Sequence, residues 1–570
     1  MNKSPGDRNS FLAAGIEQLR AGKFDTAEVQ FKKALAINSN DLDALHLISI
    51  VFHQSGRSDE AINCIQKAVD QDPSNVKFLN DLGLIQLSVG QSEKALKCFR
   101  KVLKKIPDEP AIHLSLGNAL KDLGKMEDAI NAYRQALAIK TEYPEAYFNL
   151  ANVQHATGKK EDALESYNKA INLKPDFPQA ICNRGNVLKD LGRLEEAAND
   201  YESFISRWPD LALAEAYVTL GDTQRDLGYL DEAVKSYNQA LKLNPKFSAA
   251  HNNLGLLLLE QGRADEAVSC YQKILNFNPE NHLAQRNIGR AFQEKRNFEQ
   301  AIINYRKALT LNPDDTLSMY HLGCCYENYN NKEEAINCFK SILKDDPEDI
   351  KFGVNLRLAS LGVIDVPEQT PTGFMRNKYK LKAPNWNDSY PGHKVILDAF
   401  KLNNNPNDGL SILDVGCGTG SLGPHLRQYA KKLVGIDISK EMMEKAFDRD
   451  LYDELQIIDI LKYLSNKSEA FDVIIASAVF IHYSNLQSVL EHCWQSLRNG
   501  GELIFTLFLC KEDDFKINHV NFFSHGCNYI KNIAVETRFS IEFLDCDIIM
   551  EYSKAKPIKG LVCLMRKTKN

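Results

Sequence analysis

Apolar and small residues along the first 350 positions return with a period near 34, the length of a helical hairpin rather than of one helix or strand. An alanine that opens a second helix stands at Ala27, Ala61, Ala95, Ala129, Ala163 and Ala197, each 34 residues after the last, then at Ala233, Ala267, Ala301 and Ala335. The one irregular step, 233 − 197 = 36, is an insertion of two. Twelve residues before the alanine sits a small residue, as at Gly83, Gly117, Ala151, Gly185, Gly221, Gly255, Gly289 and Gly323. Four residues after it an aromatic is common (Phe31, Phe99, Tyr133, Tyr167, Tyr201), and a proline such as Pro73, Pro107 or Pro175 closes most units. The pattern predicts ten helical hairpins. Small residues let the two helices approach, the aromatic fills space against the neighbouring unit, and the proline ends the second helix. Turns such as GKMEDA and GRLEEA place acids in the first turn of the next helix, where they favour its dipole.

This pattern resembles the tetratricopeptide repeat over roughly residues 8–349. The resemblance implies an α-solenoid, a superhelix with a long concave groove. Two residues before the small position stand Asn149, Asn183, Asn253 and Asn287, and one after it Asn118, Asn152 and Asn186. Positions three apart share one helix face, which in the family looks into the groove. An amide offers both a donor and an acceptor, so a row of amides can pair with the backbone of an extended peptide. The arrangement resembles the asparagine ladder of O-linked N-acetylglucosamine transferases, and it implies a protein or peptide partner. Ser115, Thr219 and His321 interrupt the row, and the alternative is that asparagine is simply tolerated on a solvated face.

After Pro347, DIKFGVNLRLASLG reads as an amphipathic helix capping the last repeat, and IDVPEQTPTG as a linker, together 350–375. The run Arg376, Lys378, Lys380 and Lys382 reads as a solvated face, with contact to an anionic substrate as the alternative. From 376 to 570, β-rich runs (SILDVG, LVGIDI, LQIID, FDVIIASA, ELIFTLFL) alternate with helical patterns, predicting an α/β domain built on a parallel sheet.

The first of these strands ends in LDVGCGTGSLG. Glycine is needed where backbone turns sharply against a ligand, but dinucleotide folds also use such a loop. The GxGxG spacing, the preceding Asp414 and an acid at the third strand, Asp459, favour S-adenosyl-L-methionine over NAD. Asp437 ends the second strand, 437 − 416 = 21 residues on, the interval at which a carboxylate meets a ribose diol. The segment resembles class I methyltransferases, Rossmann-like with a seven-stranded sheet whose last strand, KPIKGLVCLMRK, is antiparallel. The resemblance implies that Gly416, Gly418 and Gly420 lie under the donor, with Asp414 at its methionine end. It gives Asp437 the ribose, Asp459 with Ile460 the adenine edge, and Ala476 or Ser477 a backbone contact, with Ile438 also counted as cofactor-binding. The alternative for Asp459 is a helix cap. LVGIDISKEMMEKAFDRDLYDEL and the tail after Ser524 further resemble methyltransferases that carry N-terminal tetratricopeptide repeats.

Transfer from a sulfonium needs mainly positioning and removal of a competing proton. The segment ASAVFIHYSNL lacks the [ND]PP[YF] of amine methyltransferases acting on adenine or glutamine. Candidate bases or pocket residues are His482, Tyr483, His525 and Tyr529, with Tyr390 as a cover for the donor, and Cys417 inside the loop is no nucleophile. Three functions are open. The first is a methyltransferase acting on oxygen or nitrogen of a partner recruited by the repeats. The second is a small-molecule methyltransferase whose repeats serve assembly. The third is a scaffold with an inactive domain, against which the intact Asp414, GxGxG and Asp437 count.

Composition narrows this further. A net charge of −6 argues against nucleic acid as a partner. No apolar run reaches the roughly 18 residues that span a bilayer, and MNKSPGDRNSFLAAG lacks the apolar core of a secretion signal, so a cytoplasmic protein is expected. The thirteen cysteines show no CxxC pair, which predicts reduced thiols and no metal site.

Overall fold

The computed structural model describes residues 5–383, 386, 391–406, 408–512, 514–518, 521–553 and 556–568. The chain forms two compact units, Met1–Phe277 and Asn278–Asn570. In the first, eight helical hairpins follow one another, from Pro5–Arg20 with Phe24–Ile37 to Ser248–Glu260 with Ala264–Phe277. The alanines that open the second helices, from Ala27 to Ala267, are fully buried. The aromatic expected to face the neighbouring unit lies instead on the small residue of its own hairpin. A Cβ added to Gly117 would stand 2.4 Å from Tyr133, and one on Gly83 2.7 Å from Phe99. This contact is why glycine and ring recur together.

The second unit opens with two more hairpins, His282–Glu294 with Phe298–Leu311 and Thr316–Asn328 with Lys332–Asp345. The expected capping helix is short, Val354–Ser360, and Asp349 anchors it by accepting the Val354 and Asn355 N–H groups at 2.6 and 2.7 Å. Val354 and Leu358 join the core of the last hairpin with Cys325 and Phe339. Leu356 points elsewhere and packs with Phe374 and Phe523.

The stretch read as a linker is tied down along part of its length. The Ser484 N–H donates to the Glu368 carbonyl (2.9 Å), and the Thr370 N–H to the His482 carbonyl (2.8 Å). Helix Thr372–Lys382 follows directly.

The sheet is built from β1 (Leu410–Val415), β2 (Ala430–Asp437), β3 (Glu454–Ile457), β4 (Phe471–Ala476), β5 (Leu497–Leu509), β6 (Phe515–Ile517), β7 (Phe523–His525), β8 (Phe539–Ser553) and β9 (Lys556–Lys567). β3, β2, β1, β4 and β5 run parallel in that order. β9 adds antiparallel to β5, and β8 antiparallel to β9. These seven match the expected sheet, and β6 and β7 are a short addition at the end of β5. β1 and β4 are buried almost throughout because helices cover both faces, which is why they read as unbroken apolar runs.

The expectation of uniformly reduced thiols fails at one place. Cys527, opening helix Cys527–Glu536, is disulfide-bonded to Cys546 on β8, while the other eleven cysteines are free. The helix packs against the strand that holds its partner, and a separation of 19 residues leaves no short motif to show it.

Candidate active site

β1 ends where Gly416 takes φ +64, and its N–H donates to the Ile436 carbonyl at 2.7 Å. A Cβ there would stand 2.3 Å from Val479 Cγ2, so only glycine fits. At Gly418, φ +57, a Cβ would meet nothing within 4 Å, because the residue faces open space. That space is a cavity of about 1010 Å³ across the carboxyl ends of the parallel strands, the usual ligand position in such sheets.

Asp437, at the tip of β2, lines it. One carboxylate oxygen accepts the Gly418 N–H (3.0 Å) and the other the Ser439 N–H (2.8 Å). The carboxylate thus keeps acceptor capacity for a ligand. Burial pushes this carboxyl above its usual range, opposed by the N–H groups of Ser439, Gly418 and Ile438. Ile438, Ile460 and Ser477 also line the cavity, and the Ser477 hydroxyl is buried with no partner among the described residues. Asp459 lines it too and caps helix Ile460–Leu464, one oxygen accepting the Leu461 and Lys462 N–H groups at 2.9 and 3.2 Å.

Two expected donor contacts lie behind the loop. Asp414 is fully buried, and its Oδ2 accepts the Tyr452 hydroxyl at 2.7 Å. It does not line the cavity, since β1 turns its side chain toward Tyr452 instead. Gly420, φ +75, is also outside, and a Cβ on it would press on Tyr452, Ala446 and Arg449 at 3.2–3.3 Å. Its smallness serves packing. The helix that follows the loop is one turn, Gly423–Leu426.

A model of the methyltransferase domain matches residues 413–503. Tetratricopeptide repeat models match 117–158, 155–192 and 221–262, then 247–314, and also 18–77 and 317–349. The chain carries tetratricopeptide repeats and a methyltransferase domain. The mitochondrial ubiquinone biosynthesis O-methyltransferase of Rattus norvegicus is 36% identical over 108 residues, 18% of this chain and 31% of that protein. The ubiquinone biosynthesis O-methyltransferase of Nitrosococcus oceani is 30% identical over 139 residues, 23% of this chain and 59% of that one. The chain thus spans about a third of the first of these relatives. A tetratricopeptide repeat protein from Parabacteroides merdae, of known structure, is 17% identical with a TM-score of 0.36, covering 44% of this chain and 99% of that one.

The rest of the methyltransferase cavity lies away from Asp437. Its walls come from helix Thr372–Lys382 (Met375, Tyr379, Lys382), from Ile481, His482 and Tyr483 after β4, and from Phe508 and Phe522. His482 lines it with its ring held on both sides. Nε2 meets the Tyr379 hydroxyl at 2.9 Å, and Nδ1 lies 3.4 Å from Thr370 Oγ1. Burial, with Lys378 and Lys382 nearby, lowers its pKa to about 3, so it is neutral. Burial pushes the Tyr483 phenol well up.

The other two candidates are not cavity residues. His525 is fully buried with Nε2 3.0 Å from the Ser484 carbonyl. The Tyr529 hydroxyl accepts the Leu486 N–H at 2.9 Å. His525, at the end of β7, and Tyr529, on the helix that follows, fasten the chain after β4. Tyr390 lies outside the described residues. Sequence reasoning missed Tyr379, Phe508 and Phe522, which belong to no motif. The basic run did contain a signal, since Lys382 lines the cavity.

In the repeats, two asparagine rungs join neighbouring hairpins. Asn118 Oδ1 accepts both the Tyr133 hydroxyl (2.8 Å) and Nδ2 of Asn149 in the next hairpin (3.0 Å). Asn152 does the same for Tyr167 and Asn183, and Asn186 accepts from Tyr201. Asn253 donates to Asp222 at 2.8 Å, where Asp222 replaces the asparagine. Asn287 is buried and belongs to the second unit.

Among the described residues no helix is long and apolar enough to cross a membrane.

Proposed function

We propose that the chain is an S-adenosylmethionine-dependent methyltransferase acting on oxygen or nitrogen, whose repeats recruit a protein or peptide. In this reading residues 8–349 are the repeat array, 350–375 its cap and connection, and 376–570 the transferase domain. The observation that supports it most is the Gly416–Gly418 bend and Asp437 facing one cavity.

The residues fit an adenosyl donor. Gly418 leaves open room where a side chain would project, Asp437 suits a diol, and Ser477 offers an unpaired hydroxyl. Ile438 and Ile460 supply apolar flanks, and Asp459 retains one oxygen beyond its cap. Such a donor supplies a methyl group from a sulfonium, and the rest of the donor leaves as a neutral thioether. The chain then has to orient the acceptor and exclude water. In the groove, each rung uses one Oδ1 and one Nδ2 and leaves their complements for a peptide backbone.

A small-molecule acceptor is the second reading. It is favoured by the aromatic lining of the cavity and by relatives named for ubiquinone biosynthesis.

Calorimetry of the full chain with S-adenosylhomocysteine tests the proposal. Asp437→Ala is expected to weaken binding by on the order of 1–3 kcal/mol through unpaired hydroxyls. A folded chain that binds nothing at millimolar ligand leaves only a helical scaffold.

A further inference from the structure

We propose that Thr506, which does not line the cavity, is a positioning residue for the methyl donor, its hydroxyl holding Ala478 in the left-handed backbone that turns the chain after β4 onto the glycine bend. The inference rests on the methyltransferase reading above and adds to that site a residue that acts through others.

β4 and β5 pair in parallel as far as Ala476, opposite Phe505. Thr506 is the next residue on β5 and is fully buried. Its Oγ1 accepts the Ala478 N–H at 2.9 Å. A side chain thus takes up the amide just past the last parallel pair, where the chain leaves the sheet. Threonine suits the task, because its branched Cβ restricts the rotation that aims the hydroxyl. Ala478 itself stands at φ +57. A residue with a Cβ is strained there and stays only when its surroundings hold it. Gly416 and Gly418, at φ +64 and +57 across the cavity mouth, need no such support.

What the turn achieves is visible in the next residues. Val479 Cγ2 lies 2.3 Å from where a Cβ on Gly416 would stand, so Val479 is seated on the glycine bend. Phe480 packs on Phe505 of β5, with ring centroids 5.2 Å apart. Ser477, Ala478 and Val479 line the cavity, and Ile481, His482 and Tyr483 follow. One hydrogen bond from β5 therefore sets the direction in which this wall leaves β4. Without it Ala478 relaxes toward the common backbone regions and moves Ser477 and Val479 relative to Gly416. A ligand must then select the fraction of chains that still hold the turn, and its apparent affinity falls by that fraction.

The test titrates S-adenosylhomocysteine calorimetrically into the full chain and three variants, with melting curves as the folding control. Thr506→Val removes the acceptor at nearly constant shape and is expected to weaken binding on the order of tenfold, as a stranded buried N–H would. Thr506→Ser keeps the hydroxyl and should retain most of the affinity. Thr506→Val combined with Ala478→Gly should bind clearly more tightly than Thr506→Val alone, because glycine takes the left-handed backbone unaided. A general loosening of the sheet is not repaired by that glycine, so the recovery separates positioning from a merely structural role. Native affinity in Thr506→Val, an equal loss in Thr506→Ser, or no recovery in the double variant each overturns the inference and leaves the methyltransferase reading intact. Thr506→Ala takes the place of the valine variant in both comparisons if the latter does not fold. A native chain that binds no S-adenosylhomocysteine removes the methyltransferase reading and this inference with it.

Discussion

A carboxyl group shut away from water with one hydroxyl beside it holds its proton, and Asp414 is in that position. Burial, only partly offset by the Tyr452 hydroxyl and reinforced by Asp437, raises its pKa to about 7. In the unfolded chain the value returns to roughly 3.9. The folded chain therefore keeps a proton that the unfolded chain releases, and the stability this brings below about pH 4 is lost as pH rises through about 7. Asp414→Asn removes the titration, so its melting temperature should gain on that of the native chain between these limits. A difference that stays constant with pH refutes this. Tyr529 offers a contrasting case. Its hydroxyl satisfies the Leu486 N–H and lies outside the cavity. Tyr529→Phe should cost on the order of 1–3 kcal/mol in urea unfolding and leave the affinity for S-adenosylhomocysteine unchanged. Weakened ligand binding would return Tyr529 to the site.

Hairpins in the array are joined by hydrogen bonds as well as by apolar packing. Asn118 accepts from two partners in different hairpins, so Asn118→Leu leaves the Tyr133 hydroxyl and the Asn149 amide without it. A cost of about 1–3 kcal/mol is expected from those stranded donors. Asn149→Ala keeps the Tyr133 bond and should cost clearly less, a ranking that urea unfolding of the two variants checks. The segment between the cap and the sheet carries a second consequence. Helix Thr372–Lys382 contributes Met375 and Tyr379 to the cavity, and residues 368 and 370 bond to the chain after β4. A fragment starting at 376 cuts that helix and exposes Phe523, which Leu356 and Phe374 cover. It should melt below a fragment starting at 350, and equal melting temperatures would show that the strap is dispensable.

The recruitment proposed above belongs to the scale of the whole molecule, because it needs both the repeats and the transferase chemistry. Asn149→Ala with Asn183→Ala should reduce methyl label on macromolecules in lysate while S-adenosylhomocysteine binds as before. Unchanged labelling favours the small-molecule reading. The repeats, the parallel sheet and the Gly416 to Asp437 spacing were legible in the residues alone, because each is a local pattern, whereas the antiparallel last strand followed from the resemblance to class I methyltransferases. A 34-residue period records one hairpin stacked many times, and a glycine bend between two strand-end acids records one βαβ unit. The wall of the cavity away from Asp437 had no such record. Tyr379, His482, Phe508 and Phe522 come from four separate segments, and their meeting depends on how helix Thr372–Lys382 and the chain after β5 fold over the strand ends. Side-chain direction was equally hidden. Asp414 and Asp437 both close a strand beside the same loop, yet only packing around Tyr452 turned one away from the cavity and left the other facing it.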